Sequence, residues 1–246
     1  MGRGRKSRPD DNVVNGILLV DKPAGMTSHD VVHKLRKTHK LSKVGHGGTL
    51  DPQATGLLVL LLGRGTKSSD QIMRGDKTYE GTLVLGVSTD SQDADGEVIE
   101  ERDPSGVSRE DVDRIVMGWD GEFEQIPPMV SAIKKGGVPL YKLARQGKTI
   151  EREPRQVRLY DPALIAFDHP SATFSVSCGK GTYVRTLAHD LGEELGCGAH
   201  LSALRRTRSG DYSIEGAAEL ATLLELDLDA FTAHVLPVPD APPQDN

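Results

Sequence analysis

Six apolar residues in succession, Leu57-Leu58-Val59-Leu60-Leu61-Leu62, stand between Gly56 and Gly63. The run does not alternate, and its length suits a strand buried on both faces. Whatever this chain folds into must therefore carry a central strand with material packed on each side. The stretch that feeds the strand is of opposite character. Residues 43–56 read Lys-Val-Gly-His-Gly-Gly-Thr-Leu-Asp-Pro-Gln-Ala-Thr-Gly. Gly45, Gly47 and Gly48 let the backbone turn sharply and approach a partner closely. Asp51 is the only carboxylate there, and Pro52 stiffens the chain directly after it. A stiff polar loop on a buried strand is a good mount for a reactive group. A tight turn whose Asp caps backbone amides is the more ordinary reading of the same residues.

Length and composition set the outer bounds. The 246 residues suffice for one large domain or two small ones. No stretch of eighteen apolar residues is present, so no membrane span is expected. Residues 1–11 are basic and polar with no apolar run behind them, unlike a secretory signal. Cys178 and Cys197 give neither a disulfide framework nor a four-ligand zinc pattern. The expectation is a cytoplasmic, monomeric protein without metal. Net charge is -6, yet the basic residues cluster at 3–8, 34–43, 134–158 and 205–208, while acids collect at 90–124 and after 215. Such clusters either follow a phosphate backbone or remain separate solvated faces.

Periodicity places the elements. Residues 1–12 read as a disordered basic arm. Residues 16–20 form a short buried strand. Thr27-Ser28 offers a cap to a helix with Val31, Val32 and Leu35 on its apolar face. His29 and His33 share one helix face, but no third ligand follows at a recognisable spacing. Residues 63–68 fail as a phosphate loop, and the acidic turn 89–96 lacks the glutamate that would close a calcium loop. Residues 77–86 make a strand with Tyr79 near its start. Ser108 and Asp111 open a helix, and 139–146 reads as a short helix within a basic arm. Strands follow at 157–160, 163–167 and 173–178. Val184, Leu187, Ala188, Leu191 and Leu195 repeat at helical spacing up to Gly196. Arg185 lies in the first turn of that helix, where a cation opposes the dipole, so either a carboxylate partner is close or the side chain is exposed. A last helix is expected over 214–224. The mixture is α+β.

These stretches also carry a resemblance. Residues 45–56 resemble the catalytic motif of the TruB family of tRNA pseudouridine synthases. Residues 16–28 look like that family's opening motif, and 77–79 with 86–91 like its second. Residues 125–147 are similar to its substrate-gripping insertion, and 178–191 with 195–206 complete the pattern across roughly 13–240. Two departures stand out. Gly47 takes a place where the family commonly has Thr, which adds backbone freedom beside His46. The chain also ends soon after Leu236-Pro237-Val238, so the small RNA-binding domain that many members carry is expected to be missing.

The resemblance implies a pseudouridine synthase core, a mixed and largely antiparallel sheet flanked by helices. It spans 13–240, with an inserted basic RNA-gripping arm at about 125–155 and a short tail at 241–246. It implies isomerisation of uridine 55 in the T-loop of tRNA, without cofactor, and tRNA as the partner. Asp51 would be the catalytic carboxylate, attacking the base, attacking C1′ or assisting departure of uracil. Arg185 would pair with it. Tyr79 would stack on the flipped uracil and is a candidate to remove the C5 proton. His46 would contact the flipped nucleotide, Lys22 would support the site, and Leu204 would line the base pocket, unless it is an ordinary helix-face leucine. An RNA-binding protein or tRNA chaperone of the same fold needs none of the set Asp51, Tyr79 and Arg185. A glycosidase wants a second acid that these motifs lack.

Overall fold

The computed structural model describes residues 12–129, 134–135, 137–139 and 150–238. The chain forms two compact units. The first combines the stretch up to Lys77 with the stretch from Arg205 onward, and the second is Thr78–Leu204.

The first unit is built on β1 (Gly16–Lys22) and β3 (Thr55–Leu62), which pair antiparallel from Gly16↔Leu62 to Lys22↔Gly56. Leu57 to Leu62 are all fully buried or within 1 % of it. Leu57, Val59 and Leu61 pack with Ile17, Leu19 and Ile72. Leu58, Leu60 and Leu62 alternate to the opposite face and are equally dry. The apolar run is thus covered on both sides, as its composition requires.

Helix α1 (Ser28–Thr38) buries Val31, Val32 and Leu35 and starts in a capping box between Thr27 and Asp30. His29 and His33 lie on its exposed side, and no group of residues that could hold a metal ion occurs among the described residues. Strand β2 (Val44–His46) pairs antiparallel with β3. The last residues of β12 (Ala199–Ser209) pair parallel with β3 through Arg205↔Thr55 and Arg206↔Gly56. Residues 63–68 are a 3-10 turn leading to α2 (Ser69–Arg74).

The second unit carries β4 (Lys77–Leu85), β7 (Gly121–Gln125), β10 (Arg155–Asp168) and β11 (Ser171–Cys178), in the order β4-β11-β10-β7. The β10–β11 and β10–β7 pairings are antiparallel. Helices α3 (Arg109–Met117) and α4 (Val184–Glu194) bury Val112, Ile115, Val116, Val184, Leu187, Ala188 and Leu191 in one core with Leu83, Phe174 and Val176. The architecture is α+β with a mixed, mostly antiparallel arrangement of strands. No helix of the described residues is long and apolar enough to cross a membrane.

Four sequence expectations are corrected. The helix over 214–224 is a 3-10 turn at Ile214–Gly216 and a two-residue strand β14 (Ala218–Glu219) parallel to β1. The short helix α5 (Leu220–Glu225) follows. Ala217 is extended, at φ -91 and ψ 142, because Ala218 must reach Val20 in the sheet. Strands 157–160 and 163–167 are one strand, β10. Asp161-Pro162 reads as a break, but Asp161 takes φ 51 and the ladder skips from Tyr160 to Ala163 as a bulge. Leu204 lies on β12 and not on a helix face. Asn12, assigned to a disordered arm, donates its amide to the Lys40 carbonyl at 2.7 Å. The helix expected at 139–146 falls outside the described residues from 140 on, as do the rest of the N-terminal arm and the 241–246 tail.

Candidate active site

The loop between β2 and β3 is held at several of its backbone groups. The Gly47 amide donates to the Val59 carbonyl at 2.8 Å. The Arg206 guanidinium donates to the carbonyls of Gly48 at 3.2 Å and Thr49 at 3.5 Å, and its Nε donates to that of Leu57 at 2.8 Å. Ser28 Oγ accepts from the Leu50 amide at 2.8 Å and donates to the Leu50 carbonyl at 3.2 Å. The Pro52 carbonyl accepts from Lys22 Nζ at 3.0 Å and from the Gly25 amide at 2.9 Å. The Ala54 amide donates back to the Asp51 carbonyl at 3.1 Å. In the middle of this framework Asp51 is exposed. The loop is fixed and its one carboxylate is presented outward, as a reactive group requires.

Lys22 sits at the end of β1 with no exposure and also donates to the carbonyls of Pro23 and Met26. Burial pulls its ammonium down to about 8, with Asp51 and then Asp30 opposing that shift. Its folded value lies below the 10.5 of a free lysine, so its contribution to stability is present above 10.5 and lost as pH falls through about 8. Urea unfolding of wild type should accordingly gain on Lys22→Met between those two pH values, and a constant gap would refute the linkage.

His46 ends β2. Burial, followed by the nearby Arg206 charge and then His29, lowers its pKa. Its Nδ1 is buried and finds no hydrogen-bond partner among the described residues. A ring held neutral with one unsatisfied nitrogen is suited to a ligand contact.

The second unit holds the other predicted residues. Tyr79 is half-buried near the start of β4 and packs at the margin of the unit's core, as does Leu204 on β12. Arg185 is 7 % exposed in the first turn of α4. It is paired with a carboxylate, that of Asp93, whose Oδ2 lies 2.6 Å from Arg185 Nη1. Beside this pair, Thr186 Oγ1 donates to Gln92 Oε1 at 2.8 Å. The start of the helix is pinned by Gln125, which accepts from the Tyr183 amide at 2.8 Å and donates to its carbonyl at 3.0 Å. The acidic turn that failed as a calcium loop is therefore the seat of Arg185. Of the site residues, Asp51, Lys22 and His46 belong to the first unit, and Tyr79, Arg185 and Leu204 to the second.

Sequence reasoning missed Ser28, Asp93, Gln125 and Arg206. Ser28 looked like half of a cap, but the cap is Thr27. Residues 205–208 looked like a basic face. Arg206 is instead 1 % exposed, and Arg205 forms a two-point pair with Asp21 at 3.1 and 2.7 Å.

A model of the TruB family pseudouridylate synthase N-terminal domain matches residues 36–184. The chain belongs to the TruB family. A model of the tRNA pseudouridylate synthase B C-terminal domain matches residues 185–241. The chain is 50 % identical over 210 residues to the tRNA pseudouridine synthase B of Syntrophotalea carbinolica, covering 85 % of this chain and 69 % of that one. With the synthase B of Opitutus terrae it shares 48 % over 230 residues, covering 94 % and 95 %. Among solved structures, the chain is similar to one in a Cbf5-Nop10-Gar1 complex, with TM-score 0.72 and 28 % identity over 95 % of its length. A chain of an H/ACA RNP bound to a substrate RNA containing 2′-deoxyuridine gives TM-score 0.69 and 25 % identity over 92 %. This chain spans 66 % and 60 % of those two chains.

Gly47 is confined by its surroundings and not by its backbone conformation. Gly47 does not adopt positive φ. A Cβ there would run into Ile72 Cγ2 and sit 3.3 Å from Ile72 Cβ. Gly47→Thr should cost about 1–3 kcal/mol by overpacking. Adding Ile72→Ala should make the double variant more stable than the sum of the singles by about 1 kcal/mol. Strict additivity in thermal melts would remove Ile72 as the cause.

Proposed function

We infer that this protein isomerises uridine 55 in the T-loop of tRNA to pseudouridine, with Asp51 as the catalytic carboxylate. The single observation that carries the assignment of Asp51 is its exposure on a loop whose backbone is otherwise held by Ser28, Lys22, Val59 and Arg206. The named synthase relatives supply the reaction class. The bond from ribose C1′ to N1 breaks and one from C1′ to C5 forms, after which the C5 proton leaves and N1 gains one. The product is an isomer, so no electrons enter or leave and the reading assigns no cofactor.

In this reading Asp51 attacks the base or C1′, or assists uracil departure. Arg185 holds the carboxylate ionised and oriented. Tyr79 stacks on the uracil, and its hydroxyl takes the C5 proton. His46, neutral through burial, offers its unsatisfied Nδ1 to the flipped nucleotide. Lys22 places a cation near Asp51, and Leu204 lines the base pocket. Flipping the target costs a few kcal/mol of unstacking, which contacts from the basic 134–158 arm to the RNA stem would offset. The enzyme acts as a cytoplasmic monomer.

The test is an unmodified T-arm hairpin incubated with enzyme, with pseudouridine mapped by carbodiimide labelling. Product at the T-loop uridine is expected, and binding of hairpin and whole tRNA without product would favour an RNA chaperone instead. Tyr79→Phe keeps the ring and removes the hydroxyl. It should lower the single-turnover rate about 10²–10⁴-fold with hairpin binding intact, and an unchanged rate would leave Tyr79 as a core strand tyrosine.

A further inference from the structure

Among the described residues Arg206 is the largest side chain that is essentially dry, at 1 % exposure. Among the described residues it forms no ion pair. Its acceptors are three carbonyls, those of Leu57, Gly48 and Thr49. A guanidinium buried against neutral acceptors is an expensive way to fill space, and an apolar side chain of similar volume would stabilise the fold more. What the planar fork does, and an apolar chain cannot, is hold several oxygens in one fixed geometry. Here it ties strand β3 at Leu57 to two consecutive carbonyls of the loop. Gly48 runs at φ +142, and a Cβ added there would stand 3.5 Å from Arg206 Nη1, so the loop passes close against the guanidinium.

The grip falls between two other sets of anchors. Before it, the Gly47 amide is bound to Val59. After it, Ser28 holds both polar groups of Leu50, and Lys22 holds the Pro52 carbonyl. Between those anchors only Arg206 fixes residues 48–49 among the bonds given above.

We propose that Arg206 is a positioning residue for the reaction, whose guanidinium fixes the Gly48-Thr49 backbone and thereby sets where the Asp51 carboxylate is presented. The proposal rests on the reading of Asp51 as the catalytic group. A second consequence is electrostatic: after burial, the Arg206 charge is the next cause of the lowered His46 pKa, so the same side chain also bears on the neighbouring ring.

The experiment compares wild type, Arg206→Gln, Arg206→Lys and Asp51→Asn in full-length form on the T-arm hairpin. Thermal melts are run in parallel, and His46 is titrated by NMR, with its signal assigned from a His46→Gln spectrum. Arg206→Gln is expected to lower the single-turnover rate about hundredfold, with hairpin Kd within about threefold of wild type. The His46 pKa should rise in that variant. Arg206→Lys, which keeps the charge and loses the fork, should fall about tenfold in rate and leave the His46 pKa near its wild-type value. A wild-type rate in Arg206→Gln beside an inactive Asp51→Asn overturns this proposal and leaves the reading of Asp51 intact. An active Asp51→Asn overturns that reading first. If Arg206→Gln does not melt cooperatively, Arg206→Lys decides alone, and a wild-type rate there overturns the proposal. If neither variant folds, Arg206 is a fold residue and the proposal falls.

Discussion

Asp51→Asn is expected to lower pseudouridine formation by about 10⁴-fold or more, the scale seen when a carboxylate central to the chemistry is replaced by its amide. Its melting temperature and its affinity for the hairpin should stay close to wild type. The two halves of this expectation come from different parts of the loop. The Asp51 side chain is exposed, and an exposed substitution away from caps and cores usually costs less than about 0.5 kcal/mol. The local fold depends on Ser28, Lys22, Gly25 and Arg206 gripping the backbone at positions 48 to 52, and on the Asp51 carbonyl, which asparagine retains. One secondary sign is also fixed. Asp51 is the leading influence opposing the low Lys22 pKa, so Asp51→Asn should move that lysine still further down. Single-turnover assays, melts and a lysine titration on one preparation read all three. A variant that loses binding together with activity would show that Asp51 holds the loop and does no chemistry.

Much of this arrangement is legible in the chain itself, and the limits are physical. The run 57–62 announces β3 because six adjacent apolar side chains cannot be dry on one face only. Thr27 with Asp30 and Ser108 with Asp111 announce two helix starts because capping boxes are local, and both boxes form. Arg185 announces a carboxylate through the helix dipole, but not which one. Asp93 lies 92 positions away, and a turn joins that helix only through tertiary packing. Arg206 misleads for the same reason. Beside Arg205 and Arg208 it reads as one of a solvated group, since charge in sequence carries no record of burial. Ser28 is ambiguous because a serine at a helix start has two uses, and only the approach of Leu50 selects the second. The 214–224 stretch fails because its helical propensity is overridden by the pairing of Ala218 with Val20. Short-range signals thus mark the 47–54 loop, while several of the groups that hold it come from far along the chain.

Arg185→Gln is the second large effect, and it separates two functions that one residue could serve. The Arg185 and Asp93 side chains are 8 % and 22 % exposed, with nitrogen and oxygen 2.6 Å apart. Removing the cation leaves a carboxylate in a mostly dry turn, at a cost of about 3 kcal/mol. On the proposed role of Arg185, the same change should also lower the single-turnover rate about hundredfold. The pair Arg185→Gln with Asp93→Asn distinguishes the causes. With both charges removed Asp93 is no longer a lone anion, so the part of the lost stability owed to it should return. The rate should not return with it, since asparagine at position 93 supplies no cation for Asp51. Arg185→Lys should fall between, retaining charge without the fork. If the rate instead recovers in step with stability in the double variant, Arg185 is a structural counter-ion to Asp93, and the orientation of Asp51 must come from its own unit. In that event Lys22 is the cation left to examine, being the buried ammonium whose charge already couples to Asp51.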